Sequence, residues 1–378
     1  MKKILILTYR YPFKNGLHCS FGQNIFYEAL KRNFIVKGVC FGDKDKNDHN
    51  FISVKRETVI VKKISNMLFQ IPIRQTHYQS KLFKKCFEEL LLSYKPDIIY
   101  VEHTVMMQYI KNKYSSIKIF FYDDESSLYI KANKLLHGVR EQIKNLFMGK
   151  AERKAINTSD VIFTISDQER IFLKEKFSYK VIETLHYGID TSYYYYNWKP
   201  DADKIKILFL GNYEHYPNVE AVKFISTKLA KHFQRDKKFE FIIVGRNAKN
   251  IKKFVNYNVK VYSDVKDVRE FYWTSTIFIA PIFYGGGLRT KILEAAACGI
   301  PLIITPLANN GLNLENNKSA FIAEDFEGFI KIITELSTKN NRILQEISVN
   351  ARKIMEDRFN PAIVSEKLEN ISISFGKN

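Results

Sequence analysis

The sequence predicts an α/β protein built from two doubly wound, parallel-sheet domains. Three observations predict it. Short apolar runs of strand length alternate with longer amphipathic segments. The alternation lapses once, at Tyr193 to Asp203 (YYYYNWKPDAD), and then restarts. The chain of 378 residues is also too long for one ordinary core.

In the first half, Lys3 to Thr8 is expected as a strand and Gly22 to Lys31 as a helix. Phe34 to Cys40 returns as a strand. A helix over Leu82 to Leu92 leads into the strand Asp97 to Glu102. Ile117 to Tyr122 and Val161 to Ile165 are further strand-length runs, separated by an amphipathic segment from Ser126 to Asn157. After the break the expected strands are Lys206 to Leu210, Glu240 to Val244, Val259 to Tyr262, Ile277 to Ala280 and Leu302 to Thr305. Helices are expected over Val219 to Ala230, Thr290 to Ala297, Phe326 to Leu336 and Ile343 to Ile373. This rhythm implies helix-covered parallel sheets. In such sheets ligands lie beyond the carboxyl ends of the strands, so the site is expected between the two halves. The expected domains are 1–200 and 201–356, with a last helix, 357–378, returning to the first.

Composition narrows the function classes. Hydrophobic residues make up 46% of the chain, enough for packed cores rather than disorder. No secretory signal is legible, because Ile4 to Leu7 is short and runs into Tyr9, Arg10 and Pro12. Cys19, Cys40, Cys86 and Cys298 form no CxxC pair or zinc spacing, which fits reduced thiols and a cytoplasmic location. The formal charge of +19 points to an anionic partner. Nucleic acid is disfavoured, since no zinc knuckle, aromatic RNA-binding motif or basic recognition helix accompanies the charge. Between Ser53 and Lys95, basic residues alternate with Met67, Leu68, Phe69 and Ile71, a mixture suited to an anionic membrane surface or to a solvated helix face.

The most informative segment is Pro281 to Pro301 (PIFYGGGLRTKILEAAACGIP). A strand ends in Gly285, Gly286 and Gly287, a helix opens, and it stops at Gly299 before Pro301. Glycines admit close approach of a ligand, and the helix start offers free N–H groups to an anion. Gly287, Lys291 and Glu294 are spaced to share one helix face. Phosphates near Gly287 would meet Lys291, Glu294 would accept from ribose hydroxyls, and Arg289 adds a planar fork for phosphate oxygens. The bland readings are a turn, a surface ion pair and a helix cap.

GGGLRTKILEAAACGIPLIIT resembles the donor-site motif of retaining glycosyltransferases of family 4, in the subgroup patterned GGGxRxKxLEAxAxGxP. Leu210 to Phe224, Asp264 to Arg269 and Leu185 to Tyr194 are similar to other elements of that subgroup in order and distance. Phe163 to Glu169 and Asp124 to Ser126 match weaker first-domain features. The resemblance spans most of the chain and is specific in the second half. It implies a GT-B fold, with two Rossmann-like domains facing across a cleft. It also implies transfer of a sugar from a nucleoside-diphosphate sugar, with retention, to a glycan or lipid-linked glycan in surface polysaccharide assembly. Arg289, Lys291 and Glu294 are carried over as the catalytic constellation. Gly211, Leu288, Gly286, Gly287 and Val265 (near the base) are carried over as donor contacts. No cofactor or metal is implied.

Two departures stand out. Family members commonly carry Glu-x7-Glu, and the first Glu falls at Gly286 here, so backbone amides at Gly286 and Gly287 are the natural substitute. Relatives also place Arg and Lys after the strand corresponding to Lys206 to Leu210, whereas this chain has Gly211-Asn212-Tyr213-Glu214-His215-Tyr216. Arg289 and Lys291, assisted by Arg246, are expected to take over the leaving-group charge.

Asp43-Lys-Asp45 and Asp201-Ala-Asp203 spell DxD but lie in charged loops and are read as solvated. His103, after its strand, is either a ligand contact or a structural histidine. Gly16, in the Asn15-Gly16 turn, and Asp124, within Asp123 to Glu125 at a strand end, are candidate substrate contacts. His215 and Glu214 either line the pocket or cap the next helix. Alternatives to a transferase are a non-catalytic nucleotide-sugar-binding protein or another GT-B enzyme such as an epimerase.

Overall fold

The computed structural model describes residues 1–11, 27–28, 30–44, 48–56, 75, 77–122, 139–186, 188–201, 203–255, 258–284, 288–338 and 341–375. Two compact units result: Met1–Gly188 with Pro361–Asn378, and Ile189–Asn360. The division falls some residues before the sequence-based junction near 200, and the return falls at Pro361.

In unit 1, β1 (Lys2–Thr8), β2 (Phe34–Phe41), β3 (Phe51–Val54), β4 (Ile98–Glu102), β5 (Ile117–Tyr122), β6 (Val161–Thr164) and β7 (Val181–Thr184) form a seven-stranded sheet. Its order is β3-β2-β1-β4-β5-β6-β7, with every neighbouring pair parallel. Ile4 to Leu7 and Ile98 to Val101 are fully buried, as strands covered on both faces must be. α1 (Lys81–Tyr94) starts where the Ser80 hydroxyl accepts from the Phe83 amide at 3.2 Å, and it ends at Lys95 in the left-handed region. α2 (Val139–Thr158) and α3 (Asp167–Lys176) follow. At α3 the Ser166 hydroxyl caps the helix, accepting from the Glu169 amide at 3.3 Å and donating to the Glu169 carboxylate at 3.2 Å.

In unit 2, β8 (Ile205–Asn212), β9 (Phe239–Arg246), β10 (Val259–Ser263), β11 (Ile277–Ala280), β12 (Leu302–Ile304) and β13 (Phe321–Ile322) form a six-stranded parallel sheet. Its order is β10-β9-β8-β11-β12-β13. The helices are α4 (Tyr216–Phe224), α5 (Arg269–Thr274), α6 (Thr290–Cys298), α7 (Phe326–Thr338) and α8 (Asn341–Arg358). The expected helix Val219 to Ala230 is interrupted by a π-helical turn, Ile225–Leu229. The expected two doubly wound α/β domains are therefore present.

The expected single helix from Ile343 to Ile373 is two helices, α8 and α9 (Pro361–Phe375), which belong to different units. Pro361 explains the break. It has no N–H to donate, and its ring disfavours helical backbone at Asn360 before it. α9 is fastened to unit 1 by Asn33 Nδ2 to Glu369 (2.7 Å) and Lys367 Nζ to the Thr184 carbonyl (3.1 Å). Gly188 sits so close to Pro361 that a Cβ on it would lie 2.8 Å from the proline ring. The chain thus leaves and re-enters unit 1 at adjacent points.

Candidate functional site

The order of each sheet reverses direction between two neighbouring strands, β1/β4 in unit 1 and β8/β11 in unit 2. At such a switch point the connections run to opposite faces and leave a crevice at the carboxyl ends.

In unit 2, the paired glycines at the ends of β8 and β9, Gly211 and Gly245, leave no room for side chains. Gly245 has φ +149°, and a Cβ on it would lie 1.8 Å from the Gly211 carbonyl oxygen. Only glycine fits there. A Cβ on Gly211 would in turn press at 3.0 Å on Asn218, in the first turn of α4. Asn218 works in two directions. Its Nδ2 donates to the Asn212 carbonyl at 2.8 Å, and its Oδ1 accepts from Lys291 Nζ on α6. The same ammonium lies 4.7 Å from the centre of the Phe209 ring on β8. Lys291 is thereby held over the end of β8. Burial, and the Arg289 charge beside it, push its pKa down to about 7, against the opposing pull of Glu294.

One turn deeper on α6, the Glu294 carboxylate accepts from the Tyr272 hydroxyl at 3.0 Å and from the Tyr194 hydroxyl. Burial raises its pKa to about 7, while the two phenols and Lys291 hold it back from rising further. A basic and an acidic side chain, both poised near neutrality and both half-buried, therefore project from the first two turns of one helix at a switch point. Chemically the pair offers a cation for phosphate oxygens and an acceptor for hydroxyls.

The sequence-derived candidates distribute as follows. Arg289 is the N-cap residue of α6, Leu288 precedes it half-buried, and Gly211 is next to last in β8, so these three gather with Lys291 and Glu294. Arg246 ends β9, one strand further from α6. Burial lowers its pKa against the pull of Asp264 and Glu214. Val265 follows β10, two strands from β8 and half-buried. Asp264 beside it has φ +55° and anchors back through its N–H to the Gly245 carbonyl at 2.9 Å. His215 is the N-cap residue of α4 without a side-chain capping bond, and the Glu214 amide donates to Asn212 Oδ1. Gly16, Asp124, Gly286 and Gly287 lie outside the described residues, as do Asp123, Glu125, Gly285 and 57–74 of the basic stretch.

His103 belongs to unit 1, directly after β4 at the β1/β4 switch point. It has φ +74° and is buried. Its Nδ1 accepts from the Val105 amide at 3.2 Å, and its ring lies 5.1 Å from that of Tyr9. Beside it, buried Glu102 accepts from the Thr8 hydroxyl and from Tyr27 at 3.0 Å.

Asn218, Tyr194, Tyr272 and Glu102 were not singled out from sequence. Asn218 lies in a Pro-Asn pair just past a strand-terminal glycine, a signal that could have marked it. Tyr194 closes the family-like element Leu185 to Tyr194, whereas Tyr272 carried no signal, since aromatics are ordinary core residues. Asp201 of the second DxD pairs with Lys206 at 2.8 Å, at the opposite end of β8 from the site. Among the described residues no group of three or more His, Cys, Asp or Glu gathers as a metal site. Nor is any described helix long and apolar enough to cross a membrane.

Residues 204–339, all within unit 2, match the family described as Glycosyl transferases group 1. An uncharacterized glycosyltransferase of Methanocaldococcus jannaschii is 23% identical over 321 residues, covering 77% of this chain and 72% of that one. A capsular polysaccharide biosynthesis glycosyltransferase of Staphylococcus aureus is 32% identical over 125 residues, 32% of each chain. Among solved structures, sucrose-phosphate synthase from Thermosynechococcus elongatus superposes with TM-score 0.71 at 12% identity over 99% of both chains. An Anabaena protein, HepE, in complex with UDP and glucose superposes with TM-score 0.68 at 11% identity, over 99% of this chain and 100% of that one. The structural likenesses establish the GT-B fold, and together with the sequence matches they support a GT-B glycosyltransferase.

Proposed function

We propose that the chain transfers a sugar from a nucleoside-diphosphate sugar held at the carboxyl end of the unit 2 sheet. The observation that carries this reading is the pairing on α6 of Lys291, anchored by Asn218, with Glu294, anchored by two phenols. Lys291 and Arg289 take the diphosphate and stabilise the charge that develops as the sugar leaves. These cations suffice for the leaving group, so no metal is invoked. Glu294 accepts from the ribose hydroxyls, Val265 lies towards the base, and Arg246 assists at the phosphates. Gly286 and Gly287 contribute backbone amides to the sugar.

The resemblance to retaining family 4 enzymes supports retention of configuration. The similarity to a capsular polysaccharide glycosyltransferase, with the basic stretch between Ser53 and Lys95, supports a glycan or lipid-linked glycan acceptor. The acceptor would be met at the cytoplasmic face of a membrane. His103, Gly16 and Asp124 are assigned to the acceptor or sugar side.

Calorimetric titration of UDP, GDP, ADP and CMP into wild type and Glu294→Ala tests the reading. Micromolar binding of one nucleotide, lost in the variant, is expected. A folded protein that binds none of the four would end it.

A further inference from the structure

The run Tyr193 to Tyr196 opens unit 2, and each of its four members is tied down. The Arg269 guanidinium lies 4.0 Å over the Tyr193 ring, and Tyr195 packs at 4.6 Å against Trp273. Tyr196 meets the Ser348 hydroxyl at 2.9 Å. Tyr194 is held by its backbone: Arg352 on α8 donates to the carbonyls of Tyr194 (2.6 Å) and Thr191 (2.9 Å), and to that of Ala297 in α6. So restrained, the buried Tyr194 side chain reaches the Glu294 carboxylate from one element while Tyr272 reaches it from another, α5. Tyr272 also touches the Lys291 carbonyl at 3.3 Å.

Two donors from independent elements, aimed at one carboxylate, do more than pack. A carboxylate has about four acceptor positions. Two phenols fix its rotation and leave the remaining positions in a set direction, and Glu294 stays partly exposed. Phenol donation also favours the ionised form, the stronger acceptor for a hydroxyl.

We propose that Tyr194 and Tyr272 are specificity-determining positioning residues that hold the Glu294 carboxylate for the ribose diol, so that the site selects ribonucleotides. This rests on the donor-site reading above. Without the phenol pair the carboxylate is free to rotate and takes up a proton at higher pH, and ribose recognition weakens while diphosphate binding by Lys291 and Arg289 does not.

The test compares the preferred ribonucleoside diphosphate, its 2′,3′-dideoxy counterpart and inorganic pyrophosphate on wild type, Tyr194→Phe and Tyr272→Phe, from pH 6 to 8.5. Wild type is expected to favour the ribonucleotide by roughly 10- to 100-fold, the range of hydrogen bonds to a charged group. Each Phe variant should lose roughly 3- to 10-fold of that ratio. The lost ratio should recover toward high pH, and pyrophosphate affinity should be unchanged. Arg352→Lys, which loosens Tyr194 from outside the site, should lower the ratio in the same direction and stands in if a Phe variant does not fold. A ratio that all three variants keep at every pH overturns the proposal and leaves the donor site standing. A wild type that binds nucleotides without preferring ribose overturns it too. A wild type that binds neither nucleotide nor pyrophosphate brings down the donor-site reading itself.

Discussion

Replacing Glu294 by Gln should make the ligand-free protein more stable than wild type at neutral and alkaline pH, and no more stable in acid. Burial raises the carboxyl from 4.5 to about 7, so between those values the folded state binds protons that the unfolded state has lost. Stability therefore falls as pH rises through that window. At about 1.4 kcal/mol per tenfold change in proton affinity, the full penalty above pH 7 is bounded at about 3 kcal/mol. Glu294 is partly exposed, and solvent screening brings the expected effect to about 1–2 kcal/mol. Gln keeps an oxygen for the phenols but carries no charge, so the variant escapes the penalty. Lys291 produces the mirror image. Burial lowers it from 10.5 to about 7, so the unfolded state binds the extra proton between those values and stability recovers as pH climbs. The ligand-free wild type should thus pass through a stability minimum near pH 7. Urea unfolding of both proteins at half-unit steps from pH 4 to 10 measures this. The reasoning fails if the difference between Glu294→Gln and wild type is the same at pH 4.5 and pH 8.

Gly245→Ala should destabilise unit 2 by about 3 kcal/mol or more, because the new Cβ meets the Gly211 carbonyl at 1.8 Å in a backbone region that L-residues avoid; an unchanged thermal midpoint would refute the close approach. Alanine at both Arg289 and Lys291 should lower kcat/KM by roughly 1000-fold through loss of transition-state charge stabilisation, with far-UV dichroism intact. Unchanged turnover would remove both from the leaving-group role. Flotation with liposomes should show binding that requires anionic lipid and is lost at about 0.5 M salt, where the Debye length is a few ångströms; salt-insensitive or absent binding counts against the membrane-facing role of the basic stretch.

Much of the fold is legible because parallel strands covered on both faces must be apolar throughout. Ile4 to Leu7, Ile98 to Val101 and Ile277 to Ala280 show this directly, each fully or almost fully buried. Short strands that alternate buried residues with exposed or half-buried ones, β3 and β7, lack that signature and go unread. The helix spacing of Lys291 and Glu294 is likewise a local property, and α6 carries both. What holds them is not local. Lys291 meets a residue 73 positions away, and Tyr272 reaches Glu294 across 22. Periodicity is blind to such pairings: the tyrosine run at 193–196 reads from sequence only as a lapse in the alternation, yet one of its members hydrogen-bonds the site's carboxylate.

The break at Asn360-Pro361 bears on the order in which the protein can be made. Unit 2 is one uninterrupted stretch inserted into unit 1, so it is complete in sequence once residue 360 has left the ribosome. Unit 1 is not: the partners of Asn33 and of the Thr184 carbonyl, Glu369 and Lys367, are translated only after all of unit 2. During synthesis unit 1 has all seven strands of its sheet but lacks one helix until the whole of unit 2 has been translated. A chain released at residue 360 therefore carries all of unit 2 joined to a unit 1 that lacks α9. An excised 189–360 fragment has every segment of its unit, whereas 1–188 does not.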